Sequence, residues 1–231
     1  MRKIAVMGVI LSLAVANIVF GYDYDSFGRD YDREGRFALS LKAGTLGGGA
    51  EGVLRLTRNI NARLGVNAFQ YTYSGTESDV KYDLDLNLLS FSGLVDWFPF
   101  SGSFHLSGGA LVNRNKLDLT AQSAASYIIG NTTYTSAQLG TLTGELDFKE
   151  LAPYAGIGWG NPFGREGRWT FVLDLGVMFQ GAPNVSLSAD GSLSGNAAFQ
   201  ADLAREEENL EDEIGNFEFY PVASFGITYR F

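Results

Sequence analysis

The sequence predicts an all-β fold: an eight-stranded antiparallel up-and-down transmembrane β-barrel, with a short acidic helix in its last outward loop. Three observations carry that expectation. The final residues, FEFYPVASFGITYRF, place an apolar or aromatic side chain at every second position and stop on Phe231. Successive side chains of a strand point to opposite faces. Phe217, Phe219, Pro221, Ala223, Phe225, Ile227, Tyr229 and Phe231 therefore share one face, and Glu218, Tyr220, Val222, Ser224, Gly226, Thr228 and Arg230 the other. Beyond the amino-terminal stretch no apolar run reaches the ~18 residues of a spanning helix, so a membrane-embedded chain must close its backbone hydrogen bonds as a barrel. The 29 glycines and 13% aromatic residues also suit many alternating strands better than a helical domain.

The chain opens MRKIAVMGVILSLAVANIVFG: two basic residues, an apolar run from Ile4 to about Val15, then small residues. This reads as a signal peptide over 1–21. Cleavage after Gly21, with Val19 three residues before the cut, is favoured, and Ala16 is the second candidate. Residues 22–35, YDYDSFGRDYDREG, lack a usable period and read as a periplasmic lead-in, so the barrel is expected over 36–231.

Strand one sets Phe37, Leu39 and Leu41 against Ala38, Ser40, Lys42 and Gly44. Strand two follows a turn at Gly47–Gly49, with Leu54 and Leu56 outward and Glu51, Val53, Arg55 and Thr57 inward. Strand three, 62–74, faces Leu64, Val66 and Ala68 outward and Arg63, Gly65 and Asn67 inward. It then turns aromatic at Phe69, Tyr71 and Tyr73, as a girdle or a loop base would. Strand four, 80–98, keeps Tyr82, Leu84, Leu86 and Leu88 in phase, then switches to Leu89, Phe91, Val95 and Trp97. That slip predicts a bulge.

Strand five, 103–119, shifts phase before Leu117 and Leu119. Strand six, 144–160, puts Leu151, Ala155, Ile157 and Trp159 outward, and strand seven, 168–182, puts Trp169, Phe171, Leu173, Leu175, Val177 and Phe179 outward. The terminal strand completes an even count, which places both termini and the turns at 59–61, 98–103 and 161–167 on the periplasmic side. Two long outward loops remain, 120–143 and 183–215. In the second, Phe199, Leu203, Leu210 and Ile214 recur at near-helical spacing among seven acidic residues, as in a short amphipathic helix.

No cysteine is present, which excludes a lipoprotein anchor, disulfides and thiolate metal sites. Removing Arg2 and Lys3 leaves 15 basic against 26 acidic residues, a charge of −11 that argues against nucleic acid as a partner.

Several segments resemble one family in particular. KYDLDLNLL at 81–89, SGGALVNRNKLDLTA at 107–121, APYAGIGWGNP at 152–162 and DLGVMFQGAPNVSLS at 174–188, followed by EEENLEDEI and the terminal strand, are similar to the ornithine-uptake, carbapenem-associated (CarO-type) small outer-membrane porins. The resemblance implies an eight-stranded barrel proposed to pass small basic amino acids and some zwitterionic antibiotics. The ending, with Phe225, Ile227, Tyr229 and Phe231 in one row, resembles the signal by which such barrels reach their assembly machinery. Family members end on another aromatic, and Phe231 is a departure. Expected partners are outer-membrane lipid, lipopolysaccharide, that machinery and small solutes.

On these registers the lumen receives Lys42, Glu51, Arg55, Arg63, Asp83, Asp85, Asp96, Asp174, Glu218 and Arg230. Two readings follow. The charges line a narrow passive path for small cationic or zwitterionic solutes, the leading expectation, with the inner glycines leaving room. Alternatively they pair into a plug, because an eight-stranded barrel is just wide enough for side chains to fill and desolvated ions must pair. The protein is then a non-conducting structural or surface-interaction barrel of the OmpA/OmpX type.

The acidic helix either concentrates cations at the mouth, holds divalent ions that bridge lipopolysaccharide, or is a solvated face. His105 and Ser107 echo the His-x-Ser pair of lipid A deacylases, a remote alternative, since their phase puts both in the lumen. No metal cluster, phosphate loop or other catalytic arrangement stands out, and no cofactor is expected.

Overall fold

The structure is a computed structural model that describes residues 35–77, 80–123, 126–129, 132–164 and 167–231. The expected leader and almost all of the lead-in lie outside the described residues.

Among the described residues, thirteen strands and two α-helices follow one another. They are β1 (Phe37–Gly44), β2 (Gly47–Arg55), β3 (Ile60–Glu77), β4 (Val80–Trp97), β5 (Phe104–Asn113), β6 (Lys116–Ser123), β7 (Ser126–Ile129), β8 (Thr132–Thr135), α1 (Ser136–Leu139), β9 (Leu142–Asp147), β10 (Leu151–Trp159), β11 (Trp169–Phe179), β12 (Asn184–Ala189), α2 (Ala197–Ile214) and β13 (Phe219–Arg230). Eight of them, in the order β4-β3-β2-β1-β13-β11-β10-β5, form an antiparallel sheet that closes on itself because β4 also pairs with β5. Closure leaves the barrel without an unpaired edge.

The alternation of each strand matches the barrel wall. Leu39, Leu41, Leu64, Val95, Ile157, Phe171 and Phe225 are exposed on the outside, Leu64 at 73%, while Ser40, Glu51, Arg63, Asp96, His105, Asp174 and Thr228 are buried inside. Towards the end with short turns the outer belt is aromatic. Trp169 lies against Tyr229 at 4.8 Å between ring centroids, Phe104 against Trp159 at 5.2 Å, and Phe37 against Phe231 at 5.8 Å.

At the opposite end the wall continues upward on one side only. The upper half of β4 pairs with β3 and β6, β6 with β9, and β9 with β12. The polarity of the strands inverts across this boundary. Inside the barrel, β4 turns Ser90, Ser92, Leu94 and Asp96 inward and Phe91, Val95 and Trp97 outward. Above it the same inner face carries Tyr82, Leu84 and Leu86, opposed through the ladder to Ala121, Leu119 and Leu117, while Lys81, Asp83 and Asp85 take the outer face.

The bulge predicted for β4 is therefore corrected. β4 keeps one unbroken register with β3 from Ile60↔Trp97 to Glu77↔Val80, and the apparent slip is a change in which face is apolar. A step of one residue does occur elsewhere: Tyr154 pairs with Met178, but Asp147 pairs with Asn184, so the stretch between β9 and β10 holds one residue more than its partner. Gly181, at φ +74°, takes up the step at that junction, a conformation glycine adopts without a Cβ clash. Where β5 gives way to β6, the Asn115 side chain accepts from Leu89 N at 3.0 Å and patches the interrupted ladder.

The first turn also differs from expectation. The chain reverses at Thr45-Leu46, and Gly47–Gly49 belong to β2, paired with β1; position 49 takes glycine because it lies so close to Val66 and Asn67 of β3 that a side chain would overlap them. The loop 120–143 holds the β7–β8 hairpin and α1. The helix expected in the loop 183–215 is α2, capped by Asn196, whose side chain accepts from Ala198 N and Phe199 N. Phe199 and Leu203 of α2 pack with Ile129, Tyr134 and Leu139, against Leu142, Leu187 and Ala189, as a second core above the barrel.

Candidate functional site

Four strands from one half of the ring and two from the other bring a charged layer together at mid-lumen. Alternation directs Lys42 (β1), Glu51 (β2), Arg63 (β3), Asp96 (β4), His105 and Ser107 (β5) and Asp174 (β11) inward. Lys42 Nζ lies 3.0 Å from Glu51 Oε1 and 2.6 Å from Asp174 Oδ2. Arg63 spans the layer, with Nε 2.9 Å from Asp96 Oδ2, and one terminal nitrogen 3.1 Å from Asp174 Oδ2 and 3.4 Å from Glu51 Oε1. Its other terminal nitrogen donates to Ser107 Oγ at 3.0 Å, and Ser107 Oγ donates to Asp96 Oδ1 at 2.7 Å. His105 Nε2 lies 3.0 Å from Asp174 Oδ1. Each charged side chain is at most 8% exposed, so these ions depend on one another for solvation.

Apolar layers close the lumen on both sides of the charges. Towards the long loops, Leu46, Leu94, Leu111, Ala152, Tyr154, Met178 and Val222 form one cluster. Towards the short turns, Ala38, Val53 and Phe163 form another, and the ring of Phe98, 1% exposed, lies tilted against His105 at 5.0 Å between centroids. A cavity of about 40 Å3 remains between the charges and the upper layer, lined in part by Lys42, Glu51, Arg63, Asn67, Tyr154 and Asp174. A space of that size holds a few waters.

The inner glycines do not open a path as expected. A Cβ on Gly156 or Gly176 would overlap the Tyr154 hydroxyl, one on Gly158 the His105 and Asp174 side chains, and one on Gly226 the Lys42 stem. Their missing side chains are the space into which larger neighbours fold.

Of the lumen residues expected from sequence, Lys42, Arg63, Asp96 and Asp174 meet in this layer, together with Glu51. The others lie elsewhere. Arg55 sits near the short turns with its guanidinium 5.9 Å from the Phe163 ring centroid. Arg230 donates to Gly164 O at 3.2 Å and Gly167 O at 3.3 Å, fastening that turn.

Asp83 and Asp85 are corrected outright. They face outward on the extension above the barrel, where Thr72 Oγ1 donates to Asp85 Oδ1 at 2.6 Å, because the strand has passed the apolar belt and its polar face has become its water face. Glu218 is corrected too: it ends a 3-10 turn at the rim and is exposed. Phe225, Ile227, Tyr229 and Phe231 line the outer face of β13 and the chain end, with Phe225 stacked on Phe171 and Tyr229 against Phe231.

Sequence reasoning underrated His105 and Ser107, treated as a hydrolase echo. Each has its own carboxylate, Asp174 for His105 and Asp96 for Ser107, inside a closed layer. Tyr154 and Phe98 were missed as plugging groups. Shared inward parity with the charges was the available signal for Tyr154.

The acidic helix has a defined task that composition did not suggest. Glu211 Oε1 accepts from Val185 N at 2.9 Å, and Glu207 Oε1 accepts from Leu187 N at 2.6 Å, so two carboxylates one turn apart cap the free edge of β12. Asp202 accepts from the Tyr134 hydroxyl at 2.6 Å. That bond holds the Asp202 carboxyl below the usual carboxylate range and pushes the Tyr134 hydroxyl up.

No protein-family model and no curated protein matches the sequence. Two solved structures from Acinetobacter baumannii do share its fold. CarO2 is 20% identical, with a TM-score of 0.57, the match covering 84% of this chain and 98% of that one. CarO is also 20% identical, with a TM-score of 0.55, covering 85% and 98%. The chain is thus an eight-stranded β-barrel with the fold of the CarO structures.

Proposed function

We propose that this protein is an outer-membrane barrel whose long loops face outward and whose lumen is closed, acting through its exterior surface and not as an open pore. The single observation that carries the closed reading is the stack of three filled layers, apolar, charged and apolar, across the lumen. The belt of exposed Leu, Phe and Trp, the short turns at one end and the likeness to CarO support the membrane placement. In that setting lipopolysaccharide is the expected neighbour, and the outer row Phe225, Ile227, Tyr229 and Phe231 serves as the assembly signal.

A narrow passive channel for small cationic or zwitterionic solutes, such as basic amino acids, is the second reading. The observation favouring it is the excess of three carboxylates, Glu51, Asp96 and Asp174, over the two fixed cations Lys42 and Arg63. Conduction then requires Tyr154 and Arg63 to swing aside.

Solute flux through refolded protein in liposomes separates the two, comparing ornithine and arginine with glutamate and a neutral sugar. The closed barrel leaves flux at the level of protein-free vesicles. Flux that favours the cations and falls in Asp174→Asn or Asp96→Asn would overturn it and establish the channel.

A further inference from the structure

The extension above the barrel has two edges, and they are finished differently. At β12 the backbone donors are capped by Glu207 and Glu211. At the other edge, β3 runs on past its last pairing with β2, Gly48↔Ala68, through Phe69–Glu77. Those residues stay in register with β4 to the end, so the strand is fully formed, yet among the described residues nothing pairs with its far side. The stretch FQYTYSGTE contains no proline, lysine or arginine, its one charge is the terminal Glu77, and its ladder has no bulge, so from Phe69 to Thr76 it lacks the usual devices that keep a bare edge from pairing. On its inner face Phe69, Tyr71 and Tyr73 are 46%, 52% and 55% exposed.

We propose that this edge receives an extended polypeptide strand from an outside partner, a segment with apolar residues at alternate positions and lysine or arginine between them. The proposal rests on the outward placement of the long loops.

Three observations fix the occupant. An unused row of backbone N–H and C=O groups is satisfied by another extended backbone and by little else. The exposed aromatic row asks for apolar residues on the inner face of the incoming strand. Its outer face lies about 10 Å, two strand spacings, from the outer row of β4, where Asp83 and Asp85 outweigh Lys81, which favours cationic side chains there.

A second copy of the chain is excluded by direction. Copies in one membrane are related by an axis along the membrane normal, so two β3 strands tilted by ~35–45° cross at roughly twice that angle and cannot form a ladder.

The test uses the refolded full-length protein in detergent micelles, with a labelled nonapeptide of alternating valine and lysine as the probe and fluorescence anisotropy as the readout. Saturable binding is expected, weaker by about tenfold or more when alternate peptide nitrogens are methylated, since each methyl removes a ladder donor. A glutamate-for-lysine peptide should bind less. The double variant Tyr71→Ala/Tyr73→Ala should lose binding, and Ser188→Ala on β12 should keep it.

Because the chain lacks cysteine, Thr72→Cys also permits disulfide trapping of a peptide bearing one cysteine, and trapping should alternate with its position along the peptide. Absence of binding, or binding indifferent to backbone methylation and to Tyr71 and Tyr73, would overturn the proposal. Flux in liposomes tests the closed lumen separately, and vesicle insertion tests the membrane placement. Either can fail while peptide binding in micelles succeeds.

Discussion

The barrel wall and the extension above it are built from the same strands, yet they solve opposite problems. In the wall, β3 and β4 carry Leu64, Val66, Phe91 and Val95 outside and Arg63 and Asp96 inside. In the extension the same strands carry Asp83 and Asp85 outside, while the sheet they join covers Leu142, Leu187 and Ala189 with the helix α2. In the membrane setting proposed above, a strand in lipid turns its polar face to the lumen, whereas a strand in water turns it outward. The change therefore marks where the apolar surroundings end, and it needs no break in the ladder.

The largest test of this contrast concerns the charged layer. Arg63→Ala leaves Glu51, Asp96 and Asp174 with Lys42 as their remaining fixed cation, and should cost about 3–5 kcal/mol, the range for stripping one partner from a buried ion cluster. Urea unfolding in lipid vesicles, followed by tryptophan fluorescence, measures it. A cost below about 1 kcal/mol would mean that water reaches this layer freely.

The boundary itself is tested by paired substitutions. Leu64→Lys in the belt should cost about 2–4 kcal/mol by the same unfolding measurement. Asp83→Leu on the outer face of the extension should stay within about 0.5 kcal/mol, as for an ordinary surface position. Equal costs would place both residues in the same medium and remove the inversion.

A smaller effect is expected at the protected edge. Glu207→Gln/Glu211→Gln weakens the caps on Val185 N and Leu187 N by about 1 kcal/mol, seen as faster hydrogen exchange at those two amides with the barrel amides unchanged. The smallest effect concerns acid. Asp202 is held below the usual carboxylate range, so its bond with Tyr134 contributes stability above the unfolded value of about 3.9, lost as pH falls through the lower folded value. Proteolysis should begin in the β7–β8 and α2 region under those conditions, and Tyr134→Phe should weaken this pH response.

Much of this architecture is legible in the residues. The period of two places Lys42, Glu51, Arg63, Asp96 and Asp174 on inward faces, and the structure brings all five within one ion network. The helix α2 follows from the spacing of Phe199, Leu203 and Ile214, which are buried. Periodicity does not say which face meets which medium, so Asp83 and Asp85 were drawn into the lumen, and the change of medium along β4 was read as a bulge. The one-residue step between β9–β10 and β11–β12 is a property of two strands compared, which no single strand records. Gly156 and Gly176 illustrate the same limit, since an absent side chain declares space but not its occupant, Tyr154.

What the sequence determined by itself is the set of faces: strand alternation is local geometry, fixed by the backbone pleat and indifferent to the partner strand. Closure of the ring, the register steps, the filling of the lumen and the capping of β12 by Glu207 and Glu211 were decided only by the tertiary structure. Each of these depends on groups far apart in the chain meeting at a few ångströms, where volume and hydrogen bonding select one arrangement.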